Sequence, residues 1–456
     1  MSIVDLRVPG DLQDRLMADI TKKQEWAGYL LCGAALIGDR ELLLGRDWVP
    51  VPPQYQIKNS GHGFSWHPDF DVQMLNRIQR ENLAGVILHY HGGTSPALGM
   101  SSDRQTASSL MPFLSNQAPG RSHIFGVLGQ HAGNGIVFRD GKETGNLASL
   151  RISGSWLDDW SVGHGFRKVP SSNRQDRMVR GFGEEAFRRL RLANVGIVGC
   201  GGGGAHLVQQ LAYLGVGSLL LIDADSIEES NLNRLIGAVP ARSHRSLIDR
   251  IRRRGLGDVG RPKVDVMKQL VDSIDDTISV QTFPAHFPTR ETVETLRQCD
   301  IVVACVDKLQ VRDDLNRLCK RYLIPLLDVG LEIAPRANGV GTVKAIPGRM
   351  TKVLADGPCL RCQGVISDTR LAAERDGQPM GYTGAARVPD PAVVTLNGIV
   401  ASIAATEVLQ LLTGFAGDNA PNCGWMYDGL RGDTERVEKV FRGCSACQEE
   451  RGRGDA

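Results

Sequence analysis

Two patterns of apolar and polar positions alternate along this chain. Between residues 11 and 140, apolar residues three and four apart predict helices over Leu12 to Ile20 and Val72 to Arg80. Short β-type runs predict strands over Tyr29 to Ile37, Gly85 to His89 and His123 to Leu128. Such a mixture builds an α/β or α+β unit. From about 145 to 170 the periodicity fades into Gly154, Gly163, Gly165, Pro170, Ser171 and Ser172. The expected organisation is a first domain over 1–145, a linker over 146–172 and a second domain over 173–456.

The second half alternates more regularly. Arg174 to Leu192 predicts an amphipathic helix, Ala193 to Val198 a buried strand running into a glycine loop, Ala205 to Leu214 a helix and Ser218 to Ile222 another buried strand. Strands are also expected over Ile278 to Thr282, Asp300 to Val306 and Ile324 to Asp328, separated by helical patterns. This order predicts a parallel, doubly wound sheet with helices on both faces. Asn397 to Gly414 reads as an apolar helix with a packing role. No fixed-period repeat appears, which sets solenoids and propellers aside.

Composition narrows the class. A chain of 456 residues has room for two or three domains. Its 53 Lys and Arg against 51 Asp and Glu leave a net charge of +2, so no overall field selects nucleic acid or an anionic membrane. Apolar residues at 42% and charged ones at 23% are ordinary for a soluble protein, and no apolar run approaches the roughly 18 residues of a membrane span. The first residues do not read as a secretory signal, so a cytoplasmic location with reduced thiols is expected. The basic run Arg242 to Arg261 is either a solvated insertion or a docking surface for an acidic partner.

Chemistry concentrates at the glycine loop. Gly199, Gly201, Gly202, Gly203 and Gly204 lie between a predicted strand and a predicted helix, where bare backbone can approach phosphate oxygens and helix N–H groups point at the anion. The next strand ends in Asp223 and Asp225, carboxylates that accept from ribose hydroxyls. Asn231, Arg234 and Lys263 follow as donors suited to a triphosphate, and Asp307 ends a strand where Mg²⁺ sits beside phosphates. The set favours adenylyl transfer over hydride transfer.

These residues, with Asn173-Arg174-Gln175, Arg180 to Phe182 and Arg312, resemble the ThiF-type adenylating domain shared by molybdopterin-synthase and thiamine-pathway adenylyltransferases and ubiquitin-activating enzymes. The resemblance implies a Rossmann-like fold over 172 to 447, with Asp225 on the ribose, Asn231, Arg234 and Lys263 on the phosphates, and Asp307 on Mg²⁺. It also implies that Arg174 reaches into the site of a second protomer, hence a homodimer. Lys308 stands where the family commonly has Asn.

Cys359, Cys362, Cys444 and Cys447 form two Cys-x-x-Cys pairs, which together suit a closed structural zinc site. Ubiquitin-activating enzymes also carry a thioester cysteine before the following helix. Here Gln363 to Pro391 holds no cysteine, and the other thiols read as buried.

In the first domain, His89 and His91 share one side of a predicted strand, and Asp103 follows after a loop. Two imidazoles and a carboxylate leave a fourth zinc position for water. Glu25 is placed as general base, and Ser101 or Ser102 as oxyanion donor. This set resembles the JAB (MPN, JAMM) metalloproteases, which cut after the C-terminal glycine of ubiquitin-like proteins. The spacing from His91 to Asp103 is one residue longer than the family's, and Met100 stands where the family has Ser.

Both resemblances address one object, the C-terminal glycine of a small β-grasp protein. The implied function is ATP- and Mg²⁺-dependent adenylation of a ubiquitin-like protein, fused to a zinc peptidase that processes or deconjugates it. A conjugating enzyme is the implied further partner. The alternatives are activation of a sulfur-carrier protein and a scaffold whose first domain lost hydrolysis.

Overall fold

The computed structural model describes residues 3–20, 26–60, 63–90, 102–129, 131–162, 173–240, 257–336, 343–378, 391–420, 423–438 and 443–455. Of the basic run Arg242 to Arg261, residues 242–256 lie outside them. The chain divides into two compact units. The first comprises Met1–Lys168, Lys320–Leu323 and Gln448–Ala456; the second comprises Val169–Cys319 and Ile324–Cys447.

The first unit runs β1 (Ile3–Pro9), α1 (Gly10–Ile20), β2 (Trp26–Ile37), β3 (Arg40–Pro50), the hairpin β4 (Gln56–Ser60) and β5 (Gly63–Trp66), α2 (Pro68–Glu81), β6 (Ala84–Tyr90), α3 (Ser102–Gln117), β7 (Ser122–Gly129), β8 (Ala132–Arg139), β9 (Lys142–Asn146), β10 (Ser149–Ser153) and β11 (Leu157–Val162). Its main sheet has the order β11-β10-β1-β3-β2-β6-β7-β8-β9, and β11 also pairs with β8. The central strand β2 is buried at each of its first ten residues because both sheet faces are covered. Leu30, Cys32 and Ala34 pack with Leu12 and Leu16 of α1. Ala27, Tyr29 and Leu31 pack with Phe70, Met74 and Ile78 of α2 and with Met111 and Leu114 of α3. Each such large apolar side chain contributes about 1.5–3 kcal/mol. Helix α2 starts a turn earlier than its apolar periodicity predicts. Pro68 takes the first helical position, the His67 ring accepts from Asp69 N, and Asp69 and Asp71 occupy the first turn.

Two expectations about organisation are corrected here. Most of the stretch read as a linker over 146–172 is sheet, since β10 pairs in parallel with β1 and antiparallel with β11. The apolar residues these strands bury are Leu150, Ile152, Leu157 and Trp160 among short polar runs, and β1, which stabilises them, lies at the other end of the unit's sequence. The end of the expected second domain also belongs to the first unit. Because β6 pairs with β2 only as far as Cys32, the far end of β2 keeps one edge open. The segment 448–455 takes it: Gly454 bridges Ala34, Asp455 N donates to Ala34 O at 2.8 Å, and Leu36 N donates to Asp455 Oδ2 at 2.9 Å. A side chain on Gly33 would begin 2.1 Å from Gly452 O, so this approach requires glycine there.

The second unit runs α4 (Asp176–Leu192), β12 (Asn194–Val198), α5 (Gly202–Leu214), β13 (Ser218–Ile222), α6 (Lys263–Ile274), β14 (Ser279–Phe283), α7 (Arg290–Leu296), β15 (Ile301–Ala304), α8 (Leu309–Tyr322), β16 (Leu326–Leu331), the short pair β17 (Ala334–Pro335) and β18 (Val343–Ala345), β19 (Pro347–Val353), α9 (Asp368–Arg375), α10 (Val394–Thr413), β20 (Gly424–Asp428), β21 (Asp433–Val437) and α11 (Ser445–Glu450). Its sheet has the order β14-β13-β12-β15-β16-β19-β20-β21. The first five strands are parallel and β19 to β21 are antiparallel. The chain moves outward from β12 in one direction and then from β15 in the other, which opens a crevice at the strands' C-terminal ends between them.

Helix α10 is long and apolar enough by length and composition to cross a membrane, a length the run-based reading of the sequence passed over. It is half buried and packs against α5 and α4. It also carries the buried Glu407, which pairs with Lys352 Nζ at 2.6 Å. These are the properties of a core helix.

Candidate functional site

The glycine loop lies at the crevice. Gly199 adopts φ +95°, and a Cβ there would sit 2.4 Å from Cys305 O, so the loop passes directly beneath the end of β15. A Cβ on Gly204 would lie 2.0 Å from Gly199 O, which closes the turn into α5. Gly201 and Gly203 face open space. Cys200 N donates to Asp223 Oδ2 at 2.6 Å, and Asp225 N donates to Asp223 Oδ1 at 2.8 Å. Asp223 therefore ties the loop to the end of β13 and turns Asp225 outward.

Asp225 is 65% exposed, and Lys263 Nζ reaches its Oδ2 at 2.8 Å. Lys263 is the first residue of α6, and its backbone N donates to Asp225 O at 3.0 Å. The carboxylate end of this pair is open to water, which screens it, while the Lys263 side chain is largely buried. Arg234 Nη1 donates to Ser230 O at 2.6 Å, and its Cδ flanks Gly202. Asn231 Oδ1 accepts from Glu228 N at 3.1 Å in a capping box, while Nδ2 faces Ser230 Oγ at 3.4 Å. Asp307 is exposed just beyond β15. The carbonyl before it, Val306 O, accepts from Arg312 Nη2 at 2.5 Å. Arg312 is held in turn by Asp328, which is completely buried and also binds Arg349. The sequence reading missed Asp328 and Arg349. The available signal was a carboxylate inside the apolar strand Leu326–Leu331, which buries only with a cationic partner.

The loop thus gathers Asp223, Asp225, Arg234, Lys263 and Asp307 at one sheet edge, but not Arg174. Arg174 is exposed on a single 3-10 turn before α4, and its charge acts on Asp275 at the far end of α6. Asp275 lies twelve residue steps along α6 from Lys263, about 18 Å. Within its own chain, Arg174 therefore lies away from the phosphate loop. Burial pushes the Cys200 thiol well above its ordinary range. Burial, reinforced by the Asp328 charge, pushes Cys305 up to about 12. Both thiols stay protonated and inert at neutral pH.

Cys359, Cys362, Cys444 and Cys447 hold their sulfurs within 4.8 Å of one another. The Cys359–Cys362, Cys359–Cys444 and Cys362–Cys447 separations are 3.7, 3.7 and 3.8 Å. A tetrahedron with 2.3 Å zinc–sulfur arms has edges of about 3.8 Å, so the four thiols fit zinc. Among the described residues, this is the group of three or more such ligands that converges on one point.

In the first unit, His89 near the end of β6 and Asp103 in the first turn of α3 come together, with Nε2 to Oδ1 at 3.5 Å. Imidazole and carboxylate ligands on 2.0–2.1 Å arms of a tetrahedral zinc lie about 3.4 Å apart, so this pair also fits the metal. Both side chains are largely buried, and the His89 ring lies 5.0 Å from that of Phe125. His91, Glu25 and the Ser101 and Ser102 hydroxyls lie outside the described residues.

A doubly wound sheet, a glycine loop at its switch point, and carboxylate, lysine and arginine groups at that edge define a nucleotide-binding unit. Residues 173–447 match the ThiF family, and the chain belongs to it. It is 31% identical to the SAMP-activating enzyme E1 of Haloferax volcanii over 234 residues, 50% of this chain and 71% of that protein. It is 28% identical to the molybdopterin-synthase adenylyltransferase of Escherichia coli over 274 residues, 59% of this chain and 93% of that one. Among solved structures, Escherichia coli MccB with ATP aligns at a TM-score of 0.46 and 20% identity, over 61% of this chain and 76% of that one.

Proposed function

We propose that the second unit adenylates the C-terminal carboxylate of a small ubiquitin-like protein. The observation that carries this is the convergence of the phosphate loop, Asp225, Lys263, Arg234 and Asp307 on one crevice in a chain of the ThiF family. The carboxylate oxygen attacks the α-phosphorus of ATP, the bond to the β-phosphate oxygen breaks, and pyrophosphate leaves with that electron pair. Arg234 and Lys263 balance the charge that builds on the phosphates, Asp225 holds the ribose and Asp307 holds Mg²⁺. Arg174 serves the site of a second protomer in a homodimer. The test is ATP–pyrophosphate exchange that appears only with the cognate partner and is lost in Asp307→Ala. Exchange that ignores every ubiquitin-like protein, or survives that substitution, refutes the reading.

The names of the relatives support a second reading equally well, activation of a sulfur-carrier protein. The mass of the partner after incubation with ATP and a sulfur donor separates the two, since thiocarboxylate replaces one oxygen by sulfur. The first unit acts on the same tail as a zinc peptidase, supported by the His89–Asp103 approach. Zinc, when bound, makes a water acidic and polarises a carbonyl. Around it His89, His91 and Asp103 serve as ligands, Glu25 takes the proton of the attacking water and Ser102 donates to the oxyanion. Cleavage lost in Glu25→Ala supports this; about one zinc per chain instead of two supports a scaffold. A conjugating enzyme is the acceptor proposed for the activated acyl group.

A further inference from the structure

We propose that Asn397 is a nucleotide-phosphate-binding residue, a role that rests on the adenylation reading of the second unit. Asn397 lies in the first turn of α10, where the apolar pattern around it asks only for packing. The structure brings it onto the phosphate loop. A Cβ built on Gly202, the first residue of α5, would lie 2.4 Å from Asn397 Nδ2 and 3.6 Å from Arg234 Cδ, so the carboxamide and the arginine flank the same residue of the loop. Gly398 permits the approach, because a Cβ there would already touch the His206 ring of α5 at 3.2 Å. The carboxamide is half-buried and makes no hydrogen bond to any described residue.

Packing alone does not call for an amide here, and its N–H donors are not taken up by any described residue. Beside an anion-binding loop it is a donor in waiting, because an N–H aimed at a phosphate oxygen forms a charge-assisted hydrogen bond. A neutral donor also adds contact there without another cation beside Arg234 and Lys263. The residue makes α10 a third wall of the nucleotide site, next to α5 and the Asn231–Arg234 segment.

The test is calorimetric binding of Mg²⁺·ATP, and of adenosine as a probe without phosphates, to the full chain. Asn397→Ala is expected to weaken ATP about tenfold. Asn397→Asp, equal in size but repelling phosphate, is expected to weaken it further. Both variants should keep the adenosine affinity and melting temperature of the unmodified chain. ATP affinities within about twofold of the unmodified chain, or equal losses for ATP and adenosine, overturn the assignment. An unmodified chain that binds no ATP overturns the adenylation reading itself, and the assignment with it.

Discussion

Asp328→Asn isolates the network beneath the candidate Mg²⁺ ligand. Asp328 is 0% exposed and receives Arg312 Nη1 at 2.8 and 2.7 Å and Arg349 Nη1 at 2.5 Å. The amide keeps the shape and removes a charge that pairs with two buried guanidinium groups. Breaking a buried pair in this way costs about 3–5 kcal/mol, because a buried charge loses its counter-charge. Against a total stability of about 5–15 kcal/mol, that is a large fraction. At about 2–4 °C per kcal/mol for a domain of this size, the melting temperature falls by roughly 6–20 °C. The loss should extend to the site, since Arg312 also holds Val306 O in front of Asp307. Calorimetric melting of the full chain reads the first effect, and Mg²⁺·ATP affinity in the protein that remains folded reads the second. Asp368→Asn is the control. That carboxylate also pairs with an arginine, Arg361, but is 90% exposed, and its loss should leave melting almost unmoved. A shift for Asp328→Asn no larger than for Asp368→Asn refutes the argument that this network is strongly coupled to stability.

Other expectations follow from single contacts. Burial lowers the His123 pKa from 6.5 to about 4, while Gly85 N donates to its Nδ1 at 3.0 Å. The unfolded chain therefore takes up this proton first, so the stabilisation is fully present above pH 6.5 and is lost as pH falls toward 4, by about 3 kcal/mol. His123→Gln should flatten the acid limb of the first unit's stability curve, and an unchanged limb contradicts the assignment. Cys447→Ser should remove one zinc per chain by elemental analysis and lower the melting temperature; full zinc content in the variant counts against the four-cysteine site. Gly204→Ala drives a Cβ to 2.0 Å from Gly199 O and should abolish ATP binding, whereas Gly203→Ala, with nothing within 4 Å, should fold normally. Retained ATP affinity in the first variant means that the loop relaxes more freely than its contacts imply.

The inner strands of the second unit's parallel half were legible in the sequence because they are buried along nearly their whole length. The run Asn194–Val198 announces itself as a strand, and the glycines that follow it mark the phosphate loop. The charged residues at the loop could be named as well, since Asp225 and Asp307 follow predicted strands and Lys263 lies close after them in a cationic cluster. The four cysteines could be paired because zinc fixes both the type and the spacing of its ligands.

Tertiary structure decided what depends on partners distant in sequence. The strands Ser149–Ser153 and Leu157–Val162 have too few apolar positions to declare themselves and exist through pairing with each other, with β1 and with β8. The segment 448–455 joins the first unit only because β6 leaves part of β2 uncovered. Asp328 meets Arg312 and Arg349, and Asn397 meets Gly202, across strands and helices whose mutual placement no local period encodes. Local pattern is set by which face of a segment avoids water. Which polar groups then meet is set by packing, where each buried charge or amide must find its partner from another part of the chain.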